Sequence, residues 1–456
     1  MIVPAFAVRT PSHLSRPSAL PLHILWIKTE LLHPVDKGGR IRTYNMLREL
    51  RRTHRITYLT LDDGDAGRDA LERAGEYASE LVRVPFRTRP KRSAGFYAEL
   101  LGNLASPLPY AIAKYRSPGL TRRLEALVAA ADVDVVVCDF LAPSLNVPDG
   151  LAAPTVLFQH NVEAVIWERH AEMAGNPLAR AYMAEQWRRM RAFEGSECRR
   201  FDHVVAVSEQ DRATFARDYG ATRVSAVPTG VDTVYFSPTG RVEHAPRELV
   251  FTGSMDWLPN EDAILHFADA VLPLVRRRLP DVTLTVVGRN PTPKLLALAE
   301  RERAVTVTGT VPDVRPYLER AAAFVVPIRI GGGTRLKIYE AMAMGKAVVS
   351  TAVGAEGLPV TSGSDVLLAD DPRSFAEALV SLLESPEMAA QLGHRAQEWV
   401  RAEFGWGRVA QRFAEICGAA ARDWQSRGGT SRVDRRPPGG APPAGSAAAH
   451  VAFTLT

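Results

Sequence analysis

The stretch AFVVPIRIGGGTRLKIYEAMAMGKAVVST, residues 323–351, decides the fold. Its first six residues form a short apolar run rich in β-branched side chains, of the kind a buried parallel strand requires. Three glycines follow, Gly331, Gly332 and Gly333, and then Thr334, a residue type that caps helices. The spacing predicts a helix over about 335–344 and a second apolar strand over 347–351. Strand, glycine turn, helix and strand in that order make one unit of a parallel α/β sheet.

The charges in this unit carry the chemistry. Glycines let backbone N–H groups approach a ligand closely, and a helix start attracts anions. Arg335 and Lys337 put two cations into the first turn, where the macrodipole alone favours acidic residues, so an anion is expected to offset them. Glu340 is close enough along the helix to take a sugar or ribose hydroxyl while the cations take phosphate. The competing reading is a solvated Lys337–Glu340 pair beside an ordinary strand-to-helix loop. The combination of Gly332, Gly333, Thr334, Arg335, Lys337 and Glu340, set between two strands, favours a site for a phosphorylated ligand.

Outward from this unit, apolar runs alternate with helical segments along the chain. One set of strands is expected at 23–29, 55–61, 81–86, 133–140, 154–160, 203–208 and 223–228. A second is expected at 248–253, 283–288, 305–309, 323–328, 347–351 and 366–369. The polar stretch FSPTGRVEHAP, residues 236–246, lies between them and reads as a linker. Two α/β domains follow, over 21–238 and 247–404, with the ligand in the cleft between them. A terminal helix over 405–425 is expected to pack back on the first domain. The Pro/Arg-containing leader 1–20 and the Pro/Gly/Ala-rich tail 426–456 are expected to be disordered.

In the first domain, Gly38 and Gly39 precede a helix with a polar start at Arg40, Arg42 and Thr43, after the first strand. His160 ends another expected strand, where it can donate a hydrogen bond to a sugar hydroxyl or a leaving phosphate; a structural role in fixing the next loop is the alternative. Asn161 and Glu163 open a helical segment expected to run to about Arg200, each as a cap or a contact.

Composition narrows the function classes. The chain has 46% hydrophobic and 23% charged residues and a formal net charge of +5, as a globular protein with anionic partners has. No dense basic stripe interleaves with aromatics, so nucleic acid is not expected. Cys138, Cys198 and Cys417 have no metal-ligand spacing, and their odd count fits a reducing, cytoplasmic setting. Asp63-Gly64-Asp65 and Asp132-Val133-Asp134 read as a turn and a strand entry, so no metal is expected. No run reaches membrane-spanning length. The basic loop RTRPKR, residues 87–92, precedes an apolar-aromatic helix over 96–104 and is suited to anionic lipid headgroups; a solvated loop beside a core helix is the other reading.

Seven landmarks in order resemble the retaining family 4 glycosyltransferases. They are GGRIRTYNMLREL from Gly38, QHNVE from Gln159, VVAVSEQD from Val204, VPTGVDTVYFSP from Val227, VVGRNP from Val286, VTGTVPDVRPYL from Val307, and the stretch from Val325 to Thr351. The resemblance implies a GT-B fold, two Rossmann-like α/β domains facing each other across a deep cleft. It also implies a nucleoside-diphosphate sugar donor held by the second domain, with no metal or other cofactor. The acceptor, held by the first domain, is then a saccharide, a lipid-linked saccharide or a small molecule. Sugar transfer with retention, in bacterial polysaccharide or glycoconjugate biosynthesis, goes with a cytoplasmic enzyme, free or peripheral at the inner face of the membrane.

By the same resemblance, Glu340 holds the ribose and Val311 meets the base. Gly38 and Gly39 approach the diphosphate and sugar, and His160 lies near the transferred sugar and leaving phosphate. The chain departs from the pattern in three places. Gly332 stands where a second glutamate is usual, and GSMDWLPNEDA from Gly253 lacks the usual Arg and Lys, so Arg335 and Lys337 are expected to supply the diphosphate charge. Thr229 stands where asparagine is usual, and its hydroxyl is expected to bond the turn backbone. An epimerase or sugar phosphorylase of this fold, and a non-catalytic nucleotide-sugar-binding subunit, are the competing functions.

Overall fold

The computed structural model describes residues 20–428 except 65–66, 91–92, 131 and 331–334. Residues 1–19 of the leader, most of the tail, Asp65, Lys91, Arg92, and the turn containing Gly332, Gly333 and Thr334 lie outside the described residues.

Seven apolar runs form the first sheet: β1 (His23–Lys28), β2 (Arg55–Asp62), β3 (Glu80–Pro85), β4 (Val135–Asp139), β5 (Thr155–Phe158), β6 (His203–Ala206) and β7 (Val224–Ala226). Six more form the second: β8 (Ala245–Thr252), β9 (Thr283–Val287), β10 (Val305–Val307), β11 (Ala321–Val326), β12 (Ala347–Ser350) and β13 (Leu367–Leu368). Their orders are β3-β2-β1-β4-β5-β6-β7 and β10-β9-β8-β11-β12-β13, and the strand pairings are parallel. Parallel strands need crossover helices on both faces, which is why β1 and β4 are buried along their whole length and read as unbroken apolar runs. Each sheet has an apolar core on each face.

Both orders reverse direction once, between β1 and β4 and between β8 and β11. At such a switch point the loops leaving the two strands diverge to opposite faces and leave a crevice, where ligands of open α/β sheets bind. A cavity of about 740 Å³ lies between the halves, lined from the first by Asn161, Arg169 and Asp211 and from the second by Trp257, Ile330 and Glu356.

The chain passes between the halves twice. The two passages touch where Val231 N–H donates to Phe404 O at 2.8 Å, beside a Val231–Gly405 bridge. Gly230 is required there, since a Cβ would stand 2.6 Å from the Trp406 ring. The last helix, Trp406–Ser426, then packs Phe413 against Trp26 of β1 and Phe158 of β5, with ring centroids 5.4 and 5.0 Å apart.

Three local expectations need correction. The helical segment after His160 is two helices, Glu163–Met173 and Pro177–Arg200; Asn176 caps the second, and Pro177 fits its first turn but not a helix interior. β8 begins at Ala245, inside the expected linker and before the expected domain start at 247, because Ala245 pairs with Ala321 through the backbone. Thr229 Oγ1 is buried with no hydrogen-bond partner among the described residues, so it does not bond the turn.

Candidate active site

At the second switch point, the helix Leu336–Ala343 follows β11 with Arg335 at its N-cap, one residue ahead of the position expected. Arg335 is 5% exposed, and its guanidinium lies 5.2 Å from the Trp257 ring centroid. Lys337 lies over the Phe251 ring at 3.9 Å and donates to Asn260 Oδ1 at 3.0 Å. Gly253 makes room for this arrangement, because a Cβ there would stand 2.7 Å from Asn260 Nδ2 and 2.8 Å from Lys337 Nζ. Thus the helix after β11 brings the Lys337 ammonium beside the loop after β8, which has no Arg or Lys of its own.

Burial and the neighbouring Arg335 push the Lys337 ammonium down to about 7, against the pull of Glu340. Burial pushes the Glu340 carboxyl up to about 7, against Lys337. Burial also lowers the Arg335 pKa, with Glu356 opposing and Arg169 adding. Arg335, Lys337 and Glu340 are therefore electrostatic neighbours, as the sequence led one to expect. Two covered cations side by side set up a positive potential that favours an anion. Val311 is in the loop after β10 and packs on the same core cluster as Ile338 and Tyr339.

At the first switch point, the helix Gly38–Leu50 starts at Gly38 itself, with Lys37 as N-cap. The two glycines differ: a Cβ on Gly38 meets open space, whereas one on Gly39 would stand 2.7 Å from Phe140 Cζ. Phe140, in a left-handed conformation with φ 72°, stacks on His160 with centroids 3.8 Å apart, and Lys28 Nζ lies 4.1 Å from its ring centroid. His160 is two residues beyond β5 and 3% exposed. Its Nε2 lies 2.6 Å from Asp139 Oδ1, and its Nδ1 is buried with no hydrogen-bond partner among the described residues.

The loop after His160 is held from outside. Glu194 of the helix Pro177–Arg200 accepts from Glu163 N–H and Ala164 N–H at 2.8 and 3.0 Å, capping the helix Glu163–Met173 across space. Glu163 is a first-turn residue whose carboxyl burial pushes up to about 7.

Sequence reasoning missed Lys28, Asp139, Phe140, Asn260 and Glu356. A signal existed for the first two: a charged residue closing an otherwise apolar strand, as in HILWIK and VVVCD, is rare unless paired. Glu356 had none, being a loop carboxylate; it lines the cavity and accepts from Gln210 Nε2 of the other half at 3.3 Å.

Two families match this architecture in sequence. The model for Glycosyltransferase Family 4 matches residues 37–235 and that for Glycosyl transferases group 1 matches residues 246–385. A relative called D-inositol 3-phosphate glycosyltransferase 2, from Catenulispora acidiphila, is 30% identical over 247 residues, 49% of this chain. The chain spans 57% of that relative's length. Sucrose-phosphate synthase from Thermosynechococcus elongatus aligns in structure with TM-score 0.64 and 18% identity, over 89% of this chain and 100% of that one. HepE from Anabaena, solved with UDP and glucose, aligns with TM-score 0.57 and 15% identity, over 87% and 100%. Matching sequence models across both halves, on paired parallel sheets of this order, place the chain in the group 1, family 4 glycosyltransferases with the GT-B fold.

Proposed function

We propose that the protein transfers a sugar from a nucleoside-diphosphate donor to an acceptor hydroxyl, with retention of anomeric configuration. The observation that carries this reading is the covered Arg335, Lys337 and Glu340 group at the β8/β11 switch point, with Arg335 within electrostatic reach of Arg169 in the first half. The anomeric carbon–oxygen bond to the diphosphate breaks, and a bond from the same carbon to the acceptor oxygen forms. The acceptor proton passes to the leaving phosphate oxygen on the same face. Arg335 and Lys337 stabilise the departing charge by fixed electrostatics, often the largest catalytic contribution, and no protein nucleophile is required. Glu340 takes the ribose hydroxyls, and Val311 sits by the base. Gly38 leaves open space at a helix start for the donor. Gly332, Gly333 and Thr334 add backbone and hydroxyl donors to the diphosphate on the sequence reading alone.

The UDP bound by HepE and the transferase name of the Catenulispora relative support this donor and reaction class. The setting is bacterial polysaccharide or glycoconjugate synthesis in the cytoplasm. The acceptor-side half also offers Tyr97, Leu101 and Leu104, all more than half exposed on one side of the helix Ala94–Asn103 and its end, to an anionic membrane. Arg89 there is engaged by Glu99 at 2.9 Å, leaving Arg87 as the described basic partner for lipid. Co-sedimentation with anionic vesicles tests this contact, and equal recovery with and without vesicles removes it. Among the described residues no helix is long and apolar enough to cross a membrane.

The test of function is incubation with UDP-, GDP-, ADP- and TDP-sugars, with and without acceptor saccharides, read by NMR of the anomeric proton. A glycoside of the donor's configuration plus free nucleoside diphosphate is expected. An epimerised donor, a sugar phosphate, or no consumption of any donor contradicts the proposal.

A further inference from the structure

The cavity between the halves has walls of two kinds. Ser208, Asp211 and Thr214, at the start of the helix Glu209–Tyr219, line it from the first half, and Glu356, in the loop after β12, lines it from the second. Gln210 Nε2 donates to Glu356 at 3.3 Å where these two segments meet, so this set is polar. The other set is apolar. Val165 and Ile166 of the helix Glu163–Met173 line the same cavity, as do Trp257 and Leu258 after β8 and Ile330 after β11. Trp257, Leu258 and Ile330 are 43, 48 and 41% exposed although they lie in a cleft. Large apolar side chains gathered in a concave site and left open to water are a surface that an apolar ligand group covers. The ribose, sugar and diphosphate of the donor offer no such group.

We infer that Trp257, Leu258 and Ile330, with Val165 and Ile166 opposite, receive an aliphatic chain carried by the acceptor, which is then a lipid-linked hydroxyl compound and not a bare saccharide. The polar set takes the other end of the same molecule, since the Asp211 and Glu356 carboxylates accept hydrogen bonds from hydroxyls. The helices behind the first wall favour a lipid. Glu194 of the helix Pro177–Arg200 caps the helix that carries Val165 and Ile166. Arg189 of that same helix donates to Asn103 O and Leu104 O at 2.7 and 2.9 Å, holding the end of the helix on which Tyr97 and Leu101 are exposed. One helix therefore fixes both apolar surfaces of the first half, and an acceptor drawn from a membrane is the ligand that uses both. A free polysaccharide uses neither.

The chain's role as acceptor rests on the transferase reading, whereas its binding does not, so the test separates the two. Titration calorimetry of butyl, hexyl and octyl glucosides into the full chain, each below its micelle-forming concentration, reads the wall with one head group throughout. Affinity should rise roughly fourfold for each methylene the wall covers, and octyl glucoside should bind at least roughly tenfold tighter than butyl glucoside. Leu258→Ser/Ile330→Ser changes two exposed side chains, so its melting temperature should stay within a few degrees of wild type while the series levels. Leu101→Ser, on the outer helix, should leave the series as it is. A level series in the wild type means that the two walls cover each other when the halves approach, and overturns the inference; so does no heat with octyl glucoside, an undiminished series in Leu258→Ser/Ile330→Ser, or a series lost in Leu101→Ser. Chain-length-dependent binding with no transfer from any nucleotide sugar sinks the transferase reading and keeps the wall's ligand. Equal transfer to methyl and octyl glucosides does the reverse.

Discussion

Lys337 is the residue on which charge, burial and function meet. Its ammonium is pushed down to about 7 from an ordinary 10.5, so its burial costs the free protein stability as pH falls through that range. Glu340, pushed up to about 7, has the opposite sign: its contribution is lost as pH rises through 7. A diphosphate favours the charged lysine and raises its pKa. Above pH 7 the free protein must therefore take up a proton to bind, and UDP affinity should fall between pH 7 and 9 by up to about tenfold per unit. Titration calorimetry in two buffers of different ionisation enthalpy reads both the affinity and the proton uptake; a flat affinity with no uptake contradicts the account. Arg335, Lys337 and Glu340 were legible in the sequence because cations in a first turn oppose the macrodipole. Asn260 and Glu356 were not, since their partners, Lys337 and Gln210, come from segments remote in sequence.

Among the elements, the turn from β1 into the helix Gly38–Leu50 makes the sharpest claim. Gly39 has no room for a Cβ because Phe140 fills the space under His160, whereas Gly38 has open space. Gly39→Ala should cost about 1–3 kcal/mol by overpacking and lower kcat by shifting the Phe140–His160 stack, while Gly38→Ala should keep the wild-type melting temperature. Matching melts and matching kinetics for Gly39→Ala remove the stack from the account. The thirteen strands among the described residues were legible because each contains a short apolar or β-branched run at a sheet spacing, and their ends shifted by only a few residues. The break at 174–176 was also written in the chain, as Asn-Pro, and was overridden by the continuing helical pattern. The Glu194 cap was not legible, because it reaches its helix from thirty residues away.

For the molecule as a whole, the segments after β5 and β6 of the first sheet and after β8, β11 and β12 of the second line one cavity, and the last helix ties the second half back to Trp26 and Phe158 of the first. The division of the chain was legible from composition, but the cavity shared by Arg169, Asp211, Trp257 and Glu356 arises only when the halves meet. The central claim is that the second half holds a nucleoside diphosphate through Arg335 and Lys337. Calorimetric titration of UDP, GDP and ADP into the wild type and into Arg335→Ala and Lys337→Met tests it most directly. The account predicts saturable binding of at least one nucleotide, weakened at least roughly tenfold in each variant with the melting temperature within a few degrees of wild type. Equal binding by the variants, or no heat with any of the three, would contradict it.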